Sequence, residues 1–229
     1  MVSHRLAIFV MFSGACAAPM AKLARPSWST QASTDVDCST WLERASDDQS
    51  QSAWRLRAAR RAYLCLESND KDPDDALLIS LRLGVDEPHT LELAERYLSD
   101  TSKATRPDVF KPFLGQSVRM DAAVLFGTAM GARGKERDRL LKATVARDPT
   151  GARGRRAMLI LGKEAESDEN KVRWLRRALQ PQPGPWSSFG HSEFAGLSAA
   201  AKDLEALCSK LKDRDCLRFA RRRHQEIER

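Results

Sequence analysis

From Cys38 onward apolar residues recur at helical spacing, in blocks separated by turn chemistry. Thr40 with Glu43 reads as a capping box opening a short helix that carries Trp41, Leu42 and Ala45. A second helix, from about Ser50 to Leu66, places Trp54, Ala58, Ala62 and Cys65 on one stripe, flanked by Ala59, Tyr63 and Leu66. Asp72-Pro73 supplies a cap residue and an opening proline for a third helix holding Ala76, Leu77, Ile79, Leu81 and Leu83, which Gly84 closes. Pro88 opens a fourth with Leu91, Leu93, Ala94, Tyr97 and Leu98. Residues 100–112 contain two prolines among polar breakers and read as a linker or irregular turn, with helix returning near Gly115. A further break covers Gly184-Pro185 and Trp186 to Gly190. A long helix then runs from Ser192 to Leu211, a turn spans Lys212 to Asp215, and a basic helix starts at Cys216. The pattern predicts an all-α protein of stacked antiparallel helical hairpins, an α-solenoid.

The middle of the chain repeats itself. Ala123 to Pro149 lies on Ala157 to Pro183 at an offset of 34 residues, matching Ala123 with Ala157, Leu125 with Leu159, Leu141 with Leu175 and Pro149 with Pro183. Val124 with Met158, Phe126 with Ile160 and Val145 with Leu179 agree in character. Each unit reads as helix, polar turn, helix and terminating proline, and one such hairpin buries its apolar face only by stacking on neighbours. This unit resembles the tetratricopeptide repeat, with Leu141, Pro149, Leu175, Ala178 and Pro183 where that repeat carries such residues. Thr144 stands where the family has a small alanine, and the aromatic and Gly-Tyr signature of the family's first helix is missing. Cys208 and Cys216, spaced C-x7-C across a turn, resemble the bridged hairpins of secreted cysteine-rich helical repeat proteins. A helical-repeat groove that holds a peptide or protein is what the first resemblance implies.

The N-terminus adds a compartment. A short basic start ending at Arg5, an apolar run from Leu6 to Phe12 and small residues Ser13 to Ala17 have the order of a secretory signal, with Ala15 and Ala17 at the A-x-A positions. The expected division is a signal peptide over 1–17, a flexible leader over 18–37 and a helical-hairpin domain over 38–229. The rival reading lipidates Cys16 behind Gly14-Ala15, although Ser13 stands where such signals carry an aliphatic residue. Cleavage gives a periplasmic or secreted protein; lipidation gives an envelope lipoprotein, the one route by which a membrane enters this reading. Four cysteines remain beyond the signal, and an antiparallel hairpin layout pairs Cys38 with Cys65 and Cys208 with Cys216. Buried free thiols are the alternative. Zinc is disfavoured because no histidine lies at ligand spacing from either pair.

Composition agrees with helix: 42% of the residues are hydrophobic but only 7% aromatic, and Ala, Leu, Arg, Glu, Lys and Asp dominate. The formal charge of +7 leaves +6 once a signal with Arg5 is removed. Such a balance permits binding to acidic partners, anionic lipid head groups or nucleic acid without establishing any of them. Export argues against nucleic acid.

Catalytic signatures are absent from the pattern. Gly190-His191-Ser192-Glu193-Phe194 lacks the second glycine and preceding strand of a nucleophile elbow, so Ser192 reads as a helix cap. His4, His89, His191 and His224 have no nucleophile or carboxylate at diagnostic spacing. Gly131 to Gly134 and Gly151 to Gly154 lack the Lys-Ser/Thr of a phosphate loop and read as turns. Trp41, Trp54 and Trp174 lie on helix stripes and read as core. No cofactor or metal is implied and no catalytic residue is assigned. Arginines cluster at Arg153-Arg155-Arg156, Arg173-Arg176-Arg177 and Arg218-Arg221-Arg222-Arg223, and guanidiniums at helical spacing can grip carboxylates. Arg153, Arg156, Arg173 and Arg177 are therefore the expected partner-binding face of an exported, non-catalytic scaffold of the bacterial envelope, recognising a protein or peptide, an acidic one above all. The alternative is an enzyme or enzyme inhibitor whose site is assembled from residues distant in sequence.

Overall fold

A computed structural model describes residues 37–100, 107–181 and 191–228. The proposed signal, the leader as far as residue 36 and residues 182–190 lie outside them, as do the side chains of residues 191–195 and with them the Ser192 cap. Among the described residues the chain forms ten α-helices and no strand. They are α1 (Cys38–Ser46), α2 (Ser52–Ser68), α3 (Asp74–Gly84), α4 (Pro88–Ser99), α5 (Val118–Gly131), α6 (Gly134–Arg147), α7 (Ala152–Glu164), α8 (Asp168–Ala178), α9 (His191–Lys210) and α10 (Arg214–Ile227), with a 3-10 helix, Pro107–Phe113, ahead of α5. Each α-helix packs on the next where the intervening chain is described, α8 also packs on α9, and α1 with α3, α5 with α7 and α7 with α9 make the second-neighbour contacts that stack one hairpin on another. The fold is the expected all-α stack of antiparallel hairpins.

The turns follow from local chemistry. Pro88 is the first residue of α4 and Gly84 the last of α3, as expected. The Ser117 hydroxyl accepts the Arg119 and Met120 amides at the head of α5, the Ser167 hydroxyl accepts the Asn170 amide in α8, and the Asp213 carboxylate accepts the Asp215 and Cys216 amides in α10. Gly115, at φ +81°, makes the reversal that lets the chain enter α5. The repeat register is reproduced: α5 and α7 start thirty-four residues apart, as do α6 and α8.

Several expectations are corrected. The Thr40–Glu43 box does not start α1, which begins two residues earlier at Cys38 with Asp37 accepting the Ser39 hydroxyl at 2.6 Å. The last helix starts at Arg214 rather than Cys216, because the Asp213 cap lies upstream of the cysteine. Residues 107–113 are not a bare linker: Phe110 is fully buried, edge-on to Tyr97 with ring centroids 5.9 Å apart. A 3-10 turn tolerates Pro107 and Pro112 while driving that ring into the core.

Both expected disulfides are present, each with its Cα atoms 5.5 Å apart. Cys38 to Cys65 ties the start of α1 to the end of α2, and Cys208 to Cys216 ties α9 to α10 across the turn at Lys212. Two disulfides indicate an oxidising, extracytoplasmic environment. None of the described helices is long and apolar enough to cross a membrane.

Candidate functional site

The four arginines expected to form one face take two different roles. The difference starts with α5, where Gly127 and Gly131 face the backbone of α4. A Cβ at Gly127 would lie 2.8 Å from Glu95 Cα and 2.9 Å from its carbonyl oxygen, and one at Gly131 would lie 3.0 Å from the Leu98 carbonyl. Hydrogen in place of a side chain lets the two helices close to backbone contact. Glu95 is held there almost fully buried, within reach of α7. Its carboxylate takes both Arg153, through Nε on Oε1, and Arg156, whose Nη1 lies 3.0 Å from Oε2. The Arg156 guanidinium also covers the Phe126 ring, 4.5 Å from its centroid. Burial raises the Glu95 carboxyl above its ordinary value, against the opposing pull of the two arginines. Arg153 and Arg156 thus neutralise an internal carboxylate and join the second hairpin to the fourth.

Arg155, between them in sequence, is a further structural cation. Its Nη1 donates to the carbonyls of Ala178 at 2.7 Å and Gln180 at 3.0 Å, and its Nε to that of Thr150 at 3.1 Å. The bonds to Ala178 and Gln180 satisfy the open carbonyl end of α8. Burial lowers its pKa from the usual arginine value.

Arg173 and Arg177 project from α8 into solvent, together with Arg176. None of the three has an ion pair among the described residues. Elsewhere basic side chains bridge helices: Arg96 to Glu67, Arg137 to Glu164, Arg147 to Asp121 and Arg221 to Glu205. Of the two acids of α8, Asp168 is engaged, since Lys210 reaches it at 2.5 Å and that hydrogen bond holds its carboxyl below its ordinary value, while Glu169 is exposed without an ion pair among the described residues. Arg177 lies over Trp174, and Arg176 lies 5.3 Å from the centroid of Phe219 on α10, with Arg223 at the same distance from that ring. Arg222, exposed one turn beyond Phe219, adds a fourth guanidinium without an ion pair among the described residues. An open basic surface therefore lies on α8 and α10. Arg176 and Arg222 enlarge the site expected from the sequence, and Arg153 and Arg156 are drawn out of it by a carboxylate that no local pattern could have revealed.

Of the expected turn Gly151 to Gly154, only Gly151 precedes the helix, as the N-cap of α7 with its amide donating to Asp148 at 3.0 Å, whereas Gly154 lies within α7 against the Asp148 carbonyl. Among the described residues no group of three or more His, Cys, Asp or Glu side chains could hold a metal.

Fold and surface together define a disulfide-stapled stack of helical hairpins with an arginine-rich face near its C-terminal end. No family model matches the sequence, and neither the curated proteins nor the solved structures contain a match to it.

Proposed function

We propose that the chain is an exported, non-catalytic helical-repeat scaffold of the bacterial envelope that recognises an acidic protein or peptide through Arg173, Arg176, Arg177 and Arg222. The observation that carries this reading is a set of exposed guanidiniums without ion pairs on helices otherwise laced by them. Arginine left open on a rigid frame has lost little of its capacity for bidentate carboxylate binding. The thirty-four-residue register of α5–α6 and α7–α8 supports a tetratricopeptide-like array, in which stacked units present a common surface. The two disulfides and the signal-like N-terminus support a periplasmic or secreted location, with lipidation at Cys16 as the anchored form.

Affinity capture from envelope extract tests the reading with the wild type and with an R173E/R176E/R177E/R222E variant whose circular dichroism is unchanged. An acidic protein should be recovered by the wild type, lost by the variant, and released as salt rises, since the screening length is about 8 Å at physiological ionic strength. Equal recovery by both would refute the basic face.

A further inference from the structure

We propose a second, separate surface: the outward face of the α1–α2 hairpin docks on an anionic lipid bilayer. Trp54, expected in the core, is 63% exposed. It stands in the first turn of α2, where α1 has already ended at Ser46 and offers it no partner helix to pack on. Arg57 and Arg61 follow it at helical spacing on the same outward stripe, and residues 54, 57, 61, 64 and 68 of α2 on that stripe include no acid. From the neighbouring α1, the half-buried Trp41 meets two guanidiniums, Arg44 at 5.0 Å and Arg61 at 4.6 Å from its ring centroid, while Arg57 lies 5.4 Å from that of Trp54. Arg44, Arg57 and Arg61 are exposed and have no ion pair among the described residues. Glu43, the acid of α1 nearest in sequence, falls on the opposite side of that helix from Trp41, two residues and so about 160° away.

A row about 10 Å long, from Trp54 through Arg57 to Arg61, thus sets one indole beside two guanidiniums on the first described hairpin. Its cations need anions, and its projecting indole needs an apolar medium with a polar edge. The interface of an anionic bilayer supplies both together, with phosphates outside and acyl chains just beneath. An acidic protein would need an apolar socket placed to receive Trp54 as well. This docking requires neither a spanning helix nor a lipid at Cys16, and it is independent of the α8–α10 face.

The test uses residues 18–229, so that the apolar run before Ala17 cannot itself enter lipid. The protein is sedimented with vesicles of phosphatidylcholine alone and of phosphatidylcholine with one-third phosphatidylglycerol. It should bind only the anionic vesicles, and an R44Q/R57Q/R61Q variant should partition about fivefold more weakly per arginine removed. Brominated acyl chains should quench tryptophan fluorescence in the wild type and in R173E/R176E/R177E/R222E, whereas W54A should lose most of that quenching. Circular dichroism and an intact Cys38–Cys65 bridge show that the variants are folded. Equal sedimentation with both vesicle types, no sedimentation with either, or quenching that survives in W54A would overturn the proposal. So would an acidic protein captured through Arg57 and Arg61 by a chain that ignores vesicles.

Discussion

Replacing Glu95 tests whether Arg153 and Arg156 hold the stack together or wait for a partner. The carboxylate side chain is 11% exposed, Arg153 14% and Arg156 34%. Truncation to alanine strips both guanidiniums of their acceptor and opens a void at the α4–α5–α7 junction. Removing one partner of a buried pair costs about 3–5 kcal/mol, and the partial exposure of Arg156 with its contact to Phe126 places E95A near 3. Glutamine keeps the volume and one acceptor. Because burial outweighs the two arginines and raises the Glu95 pKa, the folded protein penalises the charge, and E95Q should cost far less than E95A at neutral pH. The pH dependence follows in sign. A folded pKa above the ordinary value of 4.5 gives stability that is complete below 4.5 and is lost as pH rises through the folded value. The advantage of wild type over E95Q should therefore widen as pH falls from 7 toward 4.5. Urea unfolding at several pH values, followed by circular dichroism with the disulfides intact, measures all three proteins. An R153M/R156L background should cut the cost of E95A sharply, because the unpaired cations are gone. If E95A cost under 1 kcal/mol, or the same in both backgrounds, the two arginines would be free for a ligand and the structural role would fail.

Two further substitutions have directions that the geometry fixes. The loop-closure entropy of the unfolded chain gives C38A/C65A a loss of about 3.5 kcal/mol for its 27-residue separation, and C208A/C216A about 2.5 kcal/mol for its separation of 8; urea midpoints that ranked the two variants in reverse would refute that account. Gly127→Ala gains about 1 kcal/mol of helix propensity but meets the α4 backbone at 2.8 Å, where overpacking costs about 1–3 kcal/mol, so thermal unfolding should show a net loss; a rise in Tm would mean that α4 and α5 separate at little cost.

Much of the fold could be read from the sequence because its determinants are local. Pro88 and Gly84 punctuate helices by backbone chemistry that needs no partner, and the thirty-four-residue offset reports a unit buried by copies of itself. Both disulfides were legible for the same reason, since an antiparallel hairpin brings the head of one helix to the tail of the next. Phe110 escaped because prolines signal a break whether or not the residue between them is buried. Trp54 misled because stripe membership says nothing about whether the facing helix reaches that turn. The fate of Arg153 and Arg156 was beyond reach: Glu95 lies on another hairpin, and the three meet only through the tertiary stack. Gly127-x-x-x-Gly131 was the one local sign of the close α4–α5 approach that carries Glu95 there.

The placement of the two disulfides reflects the same quasi-linear architecture. A hairpin inside the stack buries both sides against neighbours, whereas a terminal one has a neighbour on one side only and must hold its two helices together with less help. Cys38–Cys65 lies in the first described hairpin and Cys208–Cys216 in the last, while α3 to α8 contain no cysteine. The outer faces diverge where packing no longer constrains them. On α10 the side away from the core is polar, with Arg218 and Arg221 paired to Asp215 and Glu205. The first hairpin instead shows Trp54 and three arginines that form no ion pair among the described residues. An exposed indole at the end of a stack normally invites another hairpin, but the next unit would have to bury Arg57 and Arg61 beside it without a counter-charge. Burying those two cations without a counter-charge would be costly, which favours the charged interface proposed for this face over an apolar packing partner.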